Sequence, residues 1–343
     1  MTTARTLIFV LFVLIASPTA RALEPANPKA DARTRAVLGY LDELPRRQGK
    51  RVLSGQFTDY GPHARLTLCE DAFKQTGHWP ALIGLDYCDF GTGGLHTKNV
   101  DRLALDYAQK GGLVTISVHL PNPANPQGGG LRDKGVDLTT LLTPGHETHR
   151  RWMAELDTMA AGLAELQDGG VVVLWRPFHE MNGDWFWWGG KDPDDFIRVW
   201  RHMFDYFTTT KKLNNLLWVY SPNHGSKVGS YYPGDHHADV VGLDAYTDLV
   251  DPAHIRGYPE LVKLPKPFGF TEFGPHGAAN PPGDYDYPRL LDGIENHFPR
   301  TAFFLAWHGK WSLARNQNAK ALLNHPEVIN REDLPKAFAA PGP

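Results

Sequence analysis

The sequence alternates short apolar runs with amphipathic stretches, and this pattern constrains the fold more than any other feature. Eight runs have the length and composition of strands: residues 51–57, 81–86, 113–119, 171–177, 216–221, 239–245, 268–272 and 302–307. Helical patterns lie between them, at residues 99–110, 147–166 and 192–209 among others. Strands that alternate with helices form parallel βαβ units. Eight such units in one chain predict an α/β fold of the (β/α)8 TIM barrel type, built as a single domain.

The first 22 residues have the order of a secretory signal peptide. A charged start is followed by ten apolar residues, 7–16, a run too short to span a bilayer comfortably. Ala20 and Ala22 then supply small residues at the −3 and −1 positions of a cleavage site. We therefore expect residues 1–22 to be a signal peptide, residues 23–343 to form the barrel domain, and the protein to be secreted or periplasmic. A retained N-terminal anchor is the alternative.

Charge limits the binding partners of the chain, and cysteine content limits its disulfides. Of the residues 21% are charged, and the formal net charge is −3. Removal of Arg5 and Arg21 with the leader changes that charge from −3 to −5. Neither value favours nucleic acid or an anionic membrane as a partner, and we expect a monomer. Cys69 and Cys88 permit one disulfide in an exported chain, and we expect a bridge if their Cα atoms come close enough.

The strongest local signal is the segment 175–190, WRPFHEMNGDWFWWGG, which follows the fourth predicted strand. That strand would bring Arg176, His179 and Glu180 to its carboxyl end, where a barrel builds its active site. Four tryptophans lie within fourteen residues of this segment. Indole faces stack on the apolar faces of pyranose rings, while carboxylates and amides bind hydroxyl groups. The segment therefore predicts a sugar-binding site, with a structural turn of packed tryptophans as the alternative.

The second signal is Glu272, which ends the seventh predicted strand within FGFTEFGP. A carboxylate among aromatic residues in a strand is costly unless it is paired or functional. A structural salt bridge is the alternative role for Glu272 when this motif is considered alone.

Glu180 and Glu272 together indicate hydrolysis of a glycosidic bond. That reaction needs one carboxylic acid to protonate the leaving oxygen and one carboxylate on the other side of the anomeric carbon. The ends of the fourth and seventh strands face each other across a barrel mouth. Retaining enzymes hold the two carboxyl groups about 5–5.5 Å apart and inverting enzymes about 6.5–9.5 Å apart, and the sequence leaves both open. We expect no cofactor and no metal ion.

The chain resembles glycoside hydrolase family 26, whose best-known members are β-mannanases. The resemblance runs from about residue 51 to residue 335. RVLSGQF, TGHWPALIGLDY and GGLVTISVHLPNP are similar to the first three strands of the family. RPFHEMNGDWFWWG is the most specific match, and ADVVGLDAYTD, FGFTEFGP and AWHGKWSLARNQN also fit.

The resemblance implies a retaining barrel enzyme in which Glu180 is the acid/base and Glu272 the nucleophile. It further implies that His179 contacts the sugar at the cleavage subsite and that Trp185 stacks on the leaving-side sugar. Tyr246 would donate a hydrogen bond to the nucleophile.

The same resemblance assigns two more residues to substrate binding. Trp307 would form the floor of the cleavage subsite, and His119 would line the glycone side. Aromatic and histidine side chains at strand ends also fill barrels, so packing is the alternative role for these two residues. Packing is likewise the alternative role for His179, Trp185 and Tyr246.

The resemblance is weakest in two loops, residues 121–142 and 276–287, which match no subgroup of the family. Such loops determine which polysaccharide is bound. We expect a β-1,4-mannan and its oligosaccharides as substrate. Mixed-linkage β-glucan and β-1,3-xylan are alternatives within the same chemistry, and a non-catalytic secreted carbohydrate-binding barrel is the alternative in another class.

Overall fold

Eight parallel strands close into a barrel in the computed structural model, which describes residues 23–275 and 283–342. The barrel strands are β2 (Gly55–Tyr60), β3 (Leu82–Asp86), β6 (Leu113–Ser117), β7 (Val173–Arg176), β8 (Leu216–Tyr220), β9 (Val240–Tyr246), β10 (Phe268–Gly274) and β11 (Thr301–Ala306). β10 pairs with β9 on one side and with β11 on the other, and β11 pairs with β2, which closes the ring. The predicted (β/α)8 barrel is confirmed.

Four short strands in the described part of the chain lie outside the ring. β1 (Val52–Leu53) pairs with β11 and with β12 (Val328–Ile329). It directly precedes the first barrel strand, β2, and lies at the amino-terminal end of that strand. β4 (Cys88–Asp89) and β5 (Gly94–Leu95) form an antiparallel hairpin directly after β3.

The helices follow the predicted pattern closely. They are α1 (Ala32–Glu43), α2 (Thr67–Thr76), α3 (Lys98–Gln109), α4 (Glu147–Asp168), α5 (Pro193–Asp205), α6 (Tyr258–Leu261), α7 (Pro288–His297) and α8 (Ala319–Leu323). α5 shows why they form where they do: the Asp192 side chain accepts hydrogen bonds from the first turn, and Pro193 occupies the first helical position. The helix ends in one wider turn, Tyr206–Thr210.

The amino-terminal end of the barrel is covered by the segment that precedes α1. The backbone N–H of Ala26 donates a 2.6 Å hydrogen bond to Oδ1 of Asp239, a buried residue just before β9. Oδ2 of Asp239 accepts a 2.7 Å hydrogen bond from the N–H of Trp218. This end of the barrel therefore contributes to stability, and the opposite end is open for chemistry.

The expectation of a disulfide is wrong, because both cysteines are free and buried. Cys69 lies on α2 with Arg331 and Glu70 as its charged neighbours, whereas Cys88 begins the β4–β5 hairpin beside Asp86. The two thiols thus belong to different environments, and burial raises the pKa of both.

The predicted leader, residues 1–22, lies outside the described residues. In the part of the chain that is described, no helix combines the length and the apolar character needed to cross a membrane.

Candidate active site

Glu180 is presented by an unusual backbone turn at the end of β7. Phe178 and Glu180 both adopt positive φ angles, 50° and 56°, which non-glycine residues rarely do. The Glu180 N–H donates a 2.7 Å hydrogen bond to the carbonyl of Ser221, at the end of the neighbouring strand β8. Such conformations persist where the surroundings enforce them, and they concentrate at functional sites. The turn holds the carboxyl group of Glu180 at the mouth of the barrel.

Glu272 enters the site through an irregularity in β10. The register of β10 against β9 shifts between Phe270 and Glu272. Successive side chains of a regular strand point to opposite faces, but a bulge re-aims them. Thr271 and Glu272 consequently both contact the same polar group of residues inside the barrel, because Thr271 donates to Asp244 and Glu272 accepts from Arg176.

The guanidinium of Arg176 joins two carboxylates in the interior. Its Nη1 donates to Oδ2 of Asp244 at 2.9 Å, and its Nη2 donates to Oε1 of Glu272 at 2.5 Å. All three side chains are buried. Ser221 and Thr271 donate hydrogen bonds of 2.8 and 2.7 Å to Oδ1 of Asp244. The planar fork of an arginine suits this bridging role better than a lysine does.

Tyr246 completes the environment of Glu272. Its hydroxyl donates a 2.5 Å hydrogen bond to Oε2 of Glu272. Glu272 therefore accepts one hydrogen bond on each oxygen, from Arg176 and from Tyr246. Both contacts favour the ionised form and fix the orientation of the carboxylate.

The two glutamates lie close together. Single carboxylate oxygens of Glu180, Asp244 and Glu272 all lie within 4.8 Å of one another. Three such groups could share a cation. Here the guanidinium of Arg176 supplies a positive charge to Asp244 and Glu272 by direct contact.

The two glutamates differ in the neighbouring groups that shift their pKa values. Burial, followed by the charge of Asp244, raises the pKa of Glu180 to about 8. Burial and Asp244 also raise the pKa of Glu272, but the direct contacts from Arg176 and Tyr246 act against that shift. Glu180 has no cation in hydrogen-bond contact among the described residues, and its partner is the neutral indole of Trp185. Of the two residues, Glu180 is the one expected to keep a proton.

A chain of histidines runs beside Glu272. Nδ1 of His119 lies 2.8 Å from Oδ2 of Asp86, and Nε2 of His119 lies 3.1 Å from Nε2 of His179. His179 Nε2 lies 3.9 Å from Oε1 of Glu272. Burial and the nearby Arg176 lower the pKa of His179 well below its ordinary value, so this ring is neutral.

The Asp86 carboxylate fixes one proton position in this pair of histidines. An ionised Asp86 can only accept, so Nδ1 of His119 donates to it. Burial alone would raise the pKa of Asp86, but His119 and hydrogen bonds to its carboxylate lower it below the ordinary value.

Trp185 is the one tryptophan of the segment 175–190 that is only half-buried. Its Nε1 donates a 2.6 Å hydrogen bond to Oε2 of Glu180. The ring covers Gly183, where a Cβ atom would come within 2.3 Å of it. The expectation that the clustered indoles line a sugar site is wrong for Trp175, Trp187 and Trp188, which are all fully buried. The Nε1 atoms of Trp187 and Trp188 donate hydrogen bonds to backbone carbonyls in the interior.

Trp307 lies at the end of β11 on the other side of Arg176. The guanidinium carbon of Arg176 is 5.6 Å from the indole centroid, and Trp307 packs against Phe57 and, more distantly, Tyr60. Its ring centroid is 6.4 Å from that of His119. The structure thus brings all seven residues singled out in the sequence to one end of the barrel.

Residues 26–333 match the model of glycosyl hydrolase family 26. The chain belongs to this family.

Characterised relatives within family 26 span much of the chain. A mannan endo-1,4-β-mannosidase of Bacillus subtilis is 36% identical over 347 residues, which cover 95% of this chain and 94% of the relative. The mannan endo-1,4-β-mannosidase A and B of Caldalkalibacillus mannanilyticus is 39% identical over 325 residues. That match covers 90% of this chain but 63% of the longer relative.

Solved structures of the family have the same architecture. A Bacillus subtilis mannanase is similar with a TM-score of 0.86 and 34% sequence identity, and the match covers 94% of this chain and 99% of that one. The β-mannanase from a symbiotic protist of the termite Reticulitermes speratus, solved with a gluco-manno-oligosaccharide, matches with a TM-score of 0.74 and 25% identity. This second match covers 91% of this chain and 97% of that one.

Reasoning from the sequence missed the polar residues that support the glutamates. Asp244 and Asp86 were not singled out, and Arg176 was placed at its strand end without a role, although each is a charged residue at the end of an apolar strand. A charge in such a run is rarely buried unless it is paired, and this signal could be read from the sequence. Which of these residues pair with one another depends on neighbours distant in sequence, so the pairing could not be predicted.

Proposed function

We propose that this protein is a secreted, retaining endo-β-1,4-mannanase. One observation carries the proposal: an oxygen of the Glu180 carboxyl group and an oxygen of the Glu272 carboxyl group lie within 4.8 Å of each other at the barrel mouth. Burial raises the pKa of Glu180 to about 8, whereas Arg176 and Tyr246 each donate a hydrogen bond to Glu272. This close approach supports the arrangement of retaining enzymes, whose carboxyl groups lie roughly 5–5.5 Å apart, over that of inverting enzymes, at roughly 6.5–9.5 Å.

In the first step, Glu180 donates its proton to the glycosidic oxygen as the bond from that oxygen to the anomeric carbon breaks. Glu272 attacks the anomeric carbon and forms a covalent glycosyl–enzyme ester. In the second step, Glu180 takes a proton from a water molecule, whose oxygen attacks the anomeric carbon and releases the Glu272 carboxylate. Two inversions restore the β configuration.

The supporting residues have distinct parts in this scheme. Arg176 and Tyr246 keep Glu272 ionised and aimed, with one hydrogen bond on each of its oxygens. Trp185 lies beside Glu180 and would stack on the sugar that leaves. His119, His179 and Trp307 would surround the sugar on the glycone side, since they cluster beside Glu272 and Arg176.

The choice of mannan rests on the relatives. Two bacterial relatives are named as mannan endo-1,4-β-mannosidases, and the termite-symbiont neighbour was solved with a gluco-manno-oligosaccharide. We propose the same polysaccharide class here, with action outside the cytoplasm after removal of the leader.

Parallel assays on β-1,4-mannan, mixed-linkage β-glucan and β-1,3-xylan test the proposal, with the double variant Glu180→Gln/Glu272→Gln as the inactive control. We expect a mixture of manno-oligosaccharides from mannan and little release from the other two polymers. Cleavage of β-glucan or β-1,3-xylan in preference to mannan would overturn the substrate. Binding of mannan oligosaccharides without turnover by the wild type would overturn the enzymatic role.

A further inference from the structure

Phe90 is an exposed aromatic side chain that lies directly beside the candidate active site. It is 51% exposed. Its ring centroid is 4.7 Å from that of Tyr60 and 4.8 Å from that of His119. Its position at the rim of a polar cleft, in contact with two other rings, places this open aromatic face where a sugar ring could stack on it.

The hairpin turn that carries Phe90 is held by its own hydrogen bonds. Oδ1 of Asp89 accepts from the N–H of Gly91 at 2.9 Å, and Oδ2 accepts from the hydroxyl of Thr92 at 2.8 Å. The N–H of Gly93 donates to the carbonyl of Asp89 at 2.6 Å. A turn fixed in this way keeps the ring in place before a ligand arrives, which lowers the entropic cost of binding.

A second loop supports the hairpin from outside. A Cβ atom on Gly93 would lie 2.7 Å from the Cα of Gly129, and Gly93 has a φ of 67°. The hairpin and the loop at residues 121–130 therefore touch backbone to backbone. This close approach holds the turn that follows Phe90 against a second loop.

The position of Phe90 relative to the glutamates indicates which part of a substrate it could meet. His119 links it to His179, which is 3.9 Å from Oε1 of Glu272. Trp185, on the leaving side, contacts Glu180 instead. Phe90 thus lies on the glycone side, outside the ring of residues that surrounds the cleavage subsite.

We propose that Phe90 forms a stacking subsite for the second glycone sugar, the unit next to the one that becomes bonded to Glu272. The occupant is a β-linked pyranose whose apolar C–H face lies on the exposed face of the ring. This inference rests on the proposed function, and it adds a determinant in the hairpin after β3.

Two substrates with the same leaving group separate this role from the alternatives. An aryl β-mannoside fills the cleavage subsite alone on the glycone side, and an aryl β-mannobioside also reaches the second subsite. In Phe90→Ala we expect the ratio of kcat/KM for the mannobioside to that for the mannoside to fall about 3- to 10-fold, the size of one aromatic contact. Phe90→Trp should restore the ratio.

Phe73→Ala is a matched control, because Phe73 is 40% exposed and stacks on Trp79, with its centroid 4.9 Å away. It should leave the ratio unchanged, and thermal melts of both variants check folding. An unchanged ratio in Phe90→Ala would overturn the subsite. If kcat/KM falls equally on both substrates, Phe90 supports His119; if kcat/KM falls on neither, Phe90 has no role in binding. A wild type that cleaves neither of these two substrates nor β-1,4-mannan would instead defeat the proposed function itself.

Discussion

Nε1 of Trp185 lies 2.6 Å from Oε2 of Glu180, so this half-buried indole donates a hydrogen bond to the proposed acid. This contact favours the carboxylate and lowers the pKa of Glu180, against the larger effect of burial. In the proposed mechanism, Trp185 therefore has two separable functions, one in binding the leaving sugar and one in setting the pH range.

Trp185→Phe separates these functions, because it keeps an aromatic face and removes the donor. The pKa of Glu180 should rise, and the alkaline limb of kcat/KM should move to higher pH by roughly half to one unit, the size of one hydrogen bond. pH–rate profiles of both proteins give the shift. A limb that stays in place would show that the bond has no electrostatic effect.

Trp185→Ala should raise KM for oligosaccharides that extend to the leaving side, with a small change in melting temperature. The side chain is half-buried in a loop, so few core contacts depend on it. Trp188→Ala is the comparison, since truncation of a fully buried tryptophan costs about 3–5 kcal/mol. Kinetics and thermal melts of the two variants should give opposite patterns. If Trp185→Ala melts as early as Trp188→Ala, its role is packing.

Activity should follow a bell-shaped pH profile. Glu180 must be protonated to act as an acid, so the rate should fall as pH rises through its pKa of about 8. Glu272 must be ionised, so the rate should also fall at low pH, with a limb above the ordinary glutamate value because burial and Asp244 raise its pKa. Because the two carboxyl groups interact, the apparent pKa values of the two limbs belong to the pair and not to either glutamate alone. The profile should be the same with a chelator, and full inactivation reversed by a divalent ion would contradict this scheme.

Loss of each glutamate should have a different signature. Glu180→Ala should lose about 10²–10⁴-fold on natural glycosides but far less on substrates with an activated aryl leaving group, which needs little protonation. Azide should then give a glycosyl azide. Glu272→Ala should lose activity on both substrate types, since no ester can form. Equal losses in Glu180→Ala, with no azide product, would argue against its role as the acid.

Arg176→Ala should destabilise the fold as well as the site. It leaves the buried carboxylates of Asp244 and Glu272 without their cation, and breaking such a pair costs about 3–5 kcal/mol. Arg198→Ala is the control, because Arg198 pairs with Asp195 on the exposed side of α5, where ion pairs contribute little. Denaturant unfolding measures the free energy of unfolding of both variants. Similar unfolding free energies for the two variants would show that the buried pairing adds no stability.

The first product should carry the β configuration. Proton NMR during early hydrolysis of a mannan oligosaccharide should show the β-anomer before mutarotation supplies the α form. If the α-anomer appears first, Glu272 is a base that activates water and the nucleophile assignment is wrong.

The sequence predicted the barrel well because strands of a closed parallel sheet are buried on both faces, so their apolar runs are unambiguous. β7, with all four residues buried, is the clearest case. Glu180 and Glu272 could be found because carboxylates at strand ends are conspicuous. The bulge in β10 and the positive φ of Glu180 could not, since both depend on contacts with neighbouring strands.

The tryptophans of the segment 175–190 show a second limit of prediction from sequence. Composition indicated an aromatic site, but it does not say which way each ring points. Trp187 and Trp188 face the interior, and Trp185 faces the cleft. Spacing alone cannot assign these directions in an irregular loop, because it has no fixed period.

The strained turn before Glu180 has a consequence for engineering. The ring of Phe178, at a φ of 50°, is completely buried and lies within 6.4 Å of five other aromatic rings. Those rings belong to Trp152, Trp187, Trp188, Phe196 and Trp200. Their packing supplies the energy that keeps the turn in its unfavourable conformation, so heat resistance and turnover share a common physical source. Selection for thermotolerance that alters this aromatic cluster should therefore change catalytic rate, even at positions that never touch a sugar.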